Sequence, residues 1–267
     1  MENYLCVDRV AFSVGGYDIY WYGIMICAGI ILAILVASLF CKKKGYPSDL
    51  ALNIALVILP TGILCARLFA VIFEPGLTIN DYFNFQTGGM SIIGAIVGGG
   101  IGLLLYTLIT RQKNILRHFD VLTVVLILAQ AVGRWGNYFN SEVYGQVIES
   151  SSFFAQFPFA VEIDGVFYQA LFFYESVACL VGFIMLAKIF FATKNSGYTT
   201  AWYLIFYGII RTVLEPMRQA EFIYTYAGFQ VSRVLSIAMI VIGVIMFAVL
   251  LSKNKKAKVV KNEENKN

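Results

Sequence analysis

Charge is scarce in this sequence. Of its 267 residues only 13% are Asp, Glu, Lys or Arg, against about 25% in a typical soluble domain. A chain this poor in charge and 59% hydrophobic lacks the polar surface of a water-soluble globule and reads as one polytopic membrane unit. Histidine is nearly absent: His118 is the only one, which removes Ser–His catalysis from consideration unless that residue carries it. The five cysteines (Cys6, Cys27, Cys41, Cys65, Cys179) show no CxxC spacing and sit mostly in apolar runs. They read as small core residues and not as a disulfide framework or metal site. No His/Cys/carboxylate cluster has ligand spacing, so neither a metal nor a cofactor is expected. The start, "MENYLCVDRV", has no basic segment ahead of an apolar core and is not expected to be a cleaved signal peptide. No repeat of fixed period is present, which disfavours the paired halves of many transporters.

What is present is a series of apolar runs. A membrane-crossing helix needs about 20 such residues, and runs of that kind cover 19–41, 49–73, 89–110, 170–192, 198–214 and 230–252, with a shorter one at 119–133. The expected fold is therefore all-α, a bundle of about seven transmembrane spans (residues 1–252) around a central lipid-accessible cavity. Residues 134–169 form an extracytoplasmic segment within it. A basic tail, 253–267, is expected to be disordered.

Lysine sets the orientation. Lys42, Lys43 and Lys44, then Arg111, Lys113 and Arg117, then Lys194 and the tail lysines fall in alternate connectors, which places those connectors in the cytoplasm and the N-terminus outside. The other connectors carry Glu74, Asp81, Glu149, Glu162 and Asp164. The remaining basic residues are all arginines: Arg9, Arg67, Arg134, Arg211, Arg218 and Arg233. They fall outside or in the outer half of the membrane. One such arginine is ordinarily a snorkelling or paired structural residue. Several converging on one leaflet suit a phosphate-bearing ligand, because guanidinium is a planar two-point donor that keeps its charge.

Three stretches concentrate the polar chemistry. "GRWGNYFNSEVYG", residues 133–145, follows the apolar run "FDVLTVVLILAQAV". If Asp120 caps that run, about 15 residues at 1.5 Å each reach roughly 22 Å, short of a hydrocarbon core about 30 Å thick. Arg134 then sits below the outer headgroups on backbone loosened by Gly133 and Gly136, which is tolerated only inside protein or beside a wet cavity. Intramembrane ionisable residues are functional candidates by default. Asn137 and Asn140 can donate to phosphate or ester oxygens, and Glu142 can hold an arginine or take a proton. In "YGIIRTVLEPMRQ", residues 207–219, Arg211 and Glu215 share a helical face, Pro216 ends the helix at Glu215, and Arg218 follows. A structural ion pair and a second phosphate clamp both fit this spacing. In "TGGMSIIGAIVGGGIG", residues 87–102, Gly94, Gly98 and Gly102 form a small-residue ridge for close helix packing. Gly88, Gly89 and Ser91 stand at its N-terminal end, where amides can meet an anion. "IYWYG", 19–23, supplies interfacial aromatics, of which Tyr22 can point into the bundle.

At these residues the chain resembles the prolipoprotein diacylglyceryl transferase family. "GRWGNYFNSEVYG" is similar to that family's signature of the form G-R-x-G-N-F-x-N-x-E-x-x-G. "WYG", Arg67, "GGMS", Asp120, the Tyr174–Glu175 pair and "YGIIR…E…R" at 207–218 fit in order. The resemblance implies transfer of a diacylglyceryl group from phosphatidylglycerol to the lipobox cysteine of a prolipoprotein, with a thioether formed and glycerol-1-phosphate released. It implies catalytic roles for Arg134, Arg211, Glu142 and Glu215. It also implies substrate contacts for Arg134, Asn137, Asn140, Gly145, Tyr22, Ser91, Arg67 and Arg218, and phosphatidylglycerol, prolipoprotein and membrane lipids as partners, with no nucleic acid. The chain departs from the family where many members carry histidine, at Tyr20 and Ile93, and "QALFF" stands before Tyr174 where many have H-P-S-Q. With His118 expected in a cytoplasmic loop, no histidine is placed to act as base. Glu142, Glu215 or a lipid phosphate oxygen remain as proton acceptors. A non-catalytic lipid- or anion-binding relative and an anion transporter remain the alternatives.

Overall fold

The computed structural model describes residues 8–47, 49–73, 76–84, 89–112, 114–223, 225–226 and 228–264, except the side chains of 226 and 256–264. Glu74, Gly88 and Lys113, to which the sequence assigned roles, lie outside the described residues. Among the described residues eight helices carry the fold: α1 (Trp21–Lys44), α2 (Leu50–Phe73), α3 (Ile92–Ile109), α4 (Ile115–Gly133), α5 (Trp135–Asn140), α6 (Leu171–Ala192), α7 (Tyr198–Leu214) and α8 (Val231–Glu264). Short strands join them: β1 (Val10–Val14), β2 (Tyr17–Tyr20), β3 (Val147–Ile148), β4 (Ala160–Ile163), β5 (Val166–Gln169), β6 (Thr225–Tyr226) and β7 (Phe229–Gln230). They form two antiparallel hairpins, β1–β2 and β6–β7, and one antiparallel sheet in the order β3-β5-β4.

Among the described residues six segments are long and apolar enough to cross a membrane: Trp21–Lys44, Leu50–Phe73, Ile92–Ile109, Ile115–Asn140, Leu171–Ala192 and Val231–Lys255. The chain is a polytopic helical membrane protein. The seventh expected span, α7, has 17 residues and falls just below that length. Apolar side chains cover the outsides of these helices, Leu39, Leu56, Ile96, Val181 and Ile245 among them, as a lipid solvent requires.

The chain divides into two compact units, Met1–Val36 with Leu122–Asn267, and Ala37–Val121. In the smaller unit α2 packs on α3 along the expected glycine ridge. A Cβ at Gly94 would run into the Cys65 carbonyl, one at Gly98 into the Thr61 carbonyl, and one at Gly102 into the Thr61 hydroxyl. In the larger unit Gly208 of α7 lies against Ser236 and Ile240 of α8, and Gly243 of α8 lies against Ala201 and Ile205 of α7.

Four expectations are corrected. The short run at 119–133 begins earlier, at Ile115, so Asp120 is no cap but a buried residue inside α4. His118 is likewise no loop residue. It is 1% exposed within α4, with its Nδ1 3.2 Å from the Thr107 hydroxyl. The backbone at Arg134 is α-helical (φ −61°, ψ −26°) and α5 resumes at once. The left-handed residues come later, at Ser141 (φ 51°) and Val143 (φ 58°). Gly136 therefore serves packing, since a Cβ there would stand 2.6 Å from the Tyr22 ring. Finally, 253–264 is not disordered: α8 runs on through Glu264. Lys, Glu and Ala are good helix formers, and extending a helix that is already nucleated is far easier than starting one.

Candidate functional site

Arg134, at the α4–α5 junction, points toward α6 and α7. Its Nη2 lies 2.8 Å from Glu175 Oε1 and donates to the Tyr207 hydroxyl at 3.2 Å. Tyr207 in turn donates to Glu175 Oε1 at 3.2 Å. The other Glu175 oxygen receives Arg211 Nη1 at 3.4 Å and has Arg218 Nη2 at 4.0 Å. Arg211 Nη2 also donates to Glu215 Oε2 at 2.8 Å and to Ser232 Oγ at 2.6 Å. Arg218 Nε lies 3.5 Å from the same Glu215 oxygen. Both readings of the 207–219 stretch thus meet in one place: Arg211–Glu215 is an ion pair, and it belongs to a larger cluster.

The charge of that cluster is unbalanced. Among the described residues three guanidinium groups meet two carboxylates, which leaves one positive charge unmatched there. The glutamate side chains are 3% and 1% exposed. Burial and the neighbouring Arg211 draw the Arg218 guanidinium down to about 10, against the pull of Glu215 and Glu175. It remains charged at neutral pH, but at a cost that a bound anion would relieve. Arg134, at 22% side-chain exposure against 12% and 10% for Arg211 and Arg218, is the most open of the three. A crevice beside it is lined by Arg134, Asn137, Val143, Leu171, Phe172 and Glu175.

The rest of the 133–145 motif forms a second layer. Asn137 and Asn140 both donate to Glu142 Oε1, at 3.2 and 3.4 Å. The left-handed Ser141 turns the chain so that Glu142 folds back over α5, and the Glu142 amide donates to the Asn137 carbonyl at 3.1 Å. Gly145 has a packing task. Its amide donates to the Gln169 carbonyl at 2.9 Å and its carbonyl accepts from Gln219 Nε2 at 3.0 Å. A Cβ there would stand 2.8 Å from the Gln169 side chain and 3.0 Å from the Met217 carbonyl. This pins the motif to the segment carrying Arg218.

Tyr22 lies against Gly136, within electrostatic reach of Glu142 and Arg134. Together with Arg9, Asp18, Asn140 and the apolar side chains of Ile19, Ile24 and Ile31 it lines an open groove of about 850 Å³ along the start of α1. Its lining is mostly apolar, with Arg9, Asp18 and Asn140 as its polar members.

Arg67 and Ser91 belong to the other unit, and both are engaged within it. Arg67 is 1% exposed. Its guanidinium donates to the backbone carbonyls of Asp81 (2.6 Å), Asn84 (2.7 Å) and Gly89 (2.8 Å). Thr78 holds the Asp81 carboxyl of the same loop below its usual range by hydrogen bonds from its hydroxyl and amide. Ser91 caps α3, its Oγ accepting from the Gly94 amide at 3.3 Å. Among the described residues no three His, Cys, Asp or Glu side chains group in a way that could hold a metal.

Glu175 and Tyr207 are the members of the cluster that sequence reasoning did not single out, although both lie in stretches quoted for the family resemblance. A signal was available: Glu175 is a carboxylate inside the apolar run "LFFYESVACL", and such a residue is a functional candidate by default.

Comparison with known proteins identifies the family. The family model described as "Prolipoprotein diacylglyceryl transferase" matches residues 9–249. A Clostridioides difficile (strain 630) protein named phosphatidylglycerol–prolipoprotein diacylglyceryl transferase is 34% identical over 252 residues, covering 93% of this chain and 98% of its own length. Proteins of the same name from Streptococcus uberis and Finegoldia magna are 33% and 36% identical, covering 93% and 90% of this chain and 97% and 94% of their own.

Proposed function

The chain belongs to the prolipoprotein diacylglyceryl transferase family, and we propose that it moves the diacylglyceryl group of phosphatidylglycerol to the lipobox cysteine of prolipoproteins. The observation that carries the reading is the buried cluster of three arginines against two glutamates. Among the described residues one of its positive charges is uncompensated, and a phosphodiester supplies the missing negative one.

In the reaction the glyceryl carbon–oxygen bond to phosphate breaks and a carbon–sulfur bond forms. The electron pair of the broken bond stays on the phosphate oxygen, and glycerol-1-phosphate leaves. The thiol proton passes to a carboxylate or to the departing phosphate. Negative charge grows on the leaving oxygen, and preorganised donors aimed at growing charge give the largest electrostatic help. Arg134 and Arg211 fill that role. Glu175 and Glu215 hold the guanidinium planes, while Asn137 and Asn140 orient the glyceryl part and Glu142. The groove beside Tyr22 takes an acyl chain. Arg67 and Ser91 support their own unit and are left out of the chemistry.

The lysine-bearing connectors face the cytoplasm, with the N-terminus outside and the arginine cluster toward the outer leaflet. A reporter fused after Lys258 then scores as cytoplasmic and one inserted near Ser151 as extracytoplasmic. The reverse pattern overturns the orientation. The reaction itself is tested by reconstituting the purified protein with phosphatidylglycerol labelled in its acyl chains and a lipobox peptide. Label is expected on the peptide thiol together with released glycerol phosphate. A correctly folded protein that leaves the peptide unlabelled overturns the reading.

A further inference from the structure

The loop between β3 and β4, "ESSSFFAQFPF" at residues 149–159, is not needed to build the arginine cluster, and its composition is unusual. From Ser150 to Val161 it carries no charged side chain. Three of its phenylalanines point outward, Phe153 at 74%, Phe154 at 53% and Phe157 at 53% exposure. Exposed apolar patches of this sort mark contact with a membrane or with another protein. We propose that this loop is a membrane-inserted anchor whose phenylalanines sit among lipid chains at the bilayer boundary.

Two features favour lipid over a protein partner. The first is continuity with the surface of a spanning helix. Tyr174, in the first turn of α6, donates from its hydroxyl to the Phe159 carbonyl at 2.9 Å. The Phe159 ring stands edge-on to Phe173 at 5.8 Å and to Phe154 at 5.7 Å. Phe157 contacts Tyr138 of α5 at 5.8 Å. The loop is thus fastened where α6 begins, and α6 continues outward with the exposed Val177, Val181 and Ile184. The patch extends a lipid-facing band and does not stand apart in water.

The second feature is the backbone. In hydrocarbon every unpaired amide or carbonyl is costly. Here the Ser152 amide donates to the Glu149 carbonyl, that of Ala155 to Ser152, and those of Phe159 and Ala160 to Gln156, all at 2.9–3.0 Å. The Phe154 amide donates to Ser152 Oγ at 3.3 Å, and Gln156 Nε2 donates to the Phe153 carbonyl at 2.9 Å. Pairing these amides within the loop lowers the cost of placing it against an apolar layer.

The anchor has a consequence for the site. β3 pairs with β5, and β5 ends at Gln169, whose carbonyl accepts from the Gly145 amide. A loop held at the boundary therefore fixes the depth of the 133–145 motif.

The test places the photoreactive residue p-benzoylphenylalanine at position 153 or 154 and irradiates the full chain in vesicles containing radiolabelled phosphatidylglycerol. Labelled lipid adducts are expected at both positions. No lipid adduct, a cross-linked dimer of this chain, or an adduct that forms only with added lipobox peptide each overturns the proposal. Cross-linking needs no turnover and rests only on the helices spanning a bilayer, so failure of the transferase reading leaves its outcome intact. As a second measurement, F153S/F154S/F157S is expected to lose transfer in vesicles while matching the wild type in detergent micelles. Equal transfer by variant and wild type in both media removes the anchoring role.

Discussion

The arginines of this molecule that sit largely away from solvent fall into two settings with different partners. Arg67 is enclosed by backbone carbonyls of one loop, those of Asp81, Asn84 and Gly89 among them. These carbonyls hold its guanidinium within its own unit. Arg134, Arg211 and Arg218 instead meet ionised carboxylates on neighbouring helices, with one more cation than anion. On the proposed reading the first arrangement supports its unit and the second is a site that an anion completes. The residue type is the same in the two cases, and the partners differ.

The largest expected effect tests the second kind. Arg134→Lys keeps the charge and loses the planar fork. A fall in kcat of about 10²–10³ is expected, the range seen when one oxyanion donor is removed, and the reconstituted transfer assay reads it at matched expression. Near-normal turnover would mean that Arg134 is no phosphate fork and that the two kinds of arginine differ less than their partners suggest.

Glu175→Gln comes next. It leaves three guanidinium groups with Glu215 alone, and breaking a buried ion network from one side costs about 3–5 kcal/mol. Thermal unfolding of the purified variant should show the loss. Added inorganic phosphate should restore part of it, and should stabilise the variant more than the wild type, because the uncompensated charge has grown. An equal phosphate response in the two proteins would place the anion elsewhere.

Arg67→Met breaks the comparison from the other side. Carbonyls that lose a charged donor cost about 1.5–3 kcal/mol for a typical bond of this kind. Yield and melting temperature are expected to fall, while transfer per folded molecule stays close to wild type. A variant that folds normally but cannot transfer would return Arg67 to the phosphate site.

These contrasts also mark what the sequence could say. Arg134, Asn137, Glu142, Arg211 and Glu215 were legible because polar side chains beside apolar runs are rare and their spacing is specific. The glycine ridge was legible because Gly94, Gly98 and Gly102 repeat at helical spacing. The partners of Arg67 were not legible, because spacing does not report whether a loop folds back to solvate a charge. Asp120 misled for a related reason: a carboxylate before an apolar run looks like a cap, but α4 begins five residues earlier, at Ile115. Glu175 shows the reverse error. A lone carboxylate in an apolar run says that a partner exists, and only the packing of α6 against α7 shows that Arg134, Arg211 and Arg218 all share it.

The smallest expected effect concerns histidine. Many family members carry one where Ile93 stands, so its absence could be read as loss of function. His118 offers no substitute: it is 1% exposed inside α4, beside the Thr107 hydroxyl at 3.2 Å and edge-on to Tyr106 at 5.4 Å. It is a satisfied core residue. His118→Gln, which can keep the bond to Thr107, is expected to leave transfer unchanged, and Ile93→His is expected to add nothing essential. The physical argument is one of shares. A well-placed donor on the leaving oxygen contributes about 3–4 kcal/mol, and the cluster supplies more than one. A general base contributes about 10²–10⁴-fold, and it matters less for a thiol whose pKa near 8.5 already leaves some thiolate at neutral pH. The rate of the wild type should therefore climb with pH toward the thiol pKa and show no step near 6.5, where a histidine would titrate. The measurement is reconstituted transfer by the wild type, Ile93→His and His118→Gln across about pH 6–9, a window that brackets both values. A wild type that stays inert while Ile93→His transfers lipid would show that the imidazole was required, and the arginine cluster would then account for binding without turnover.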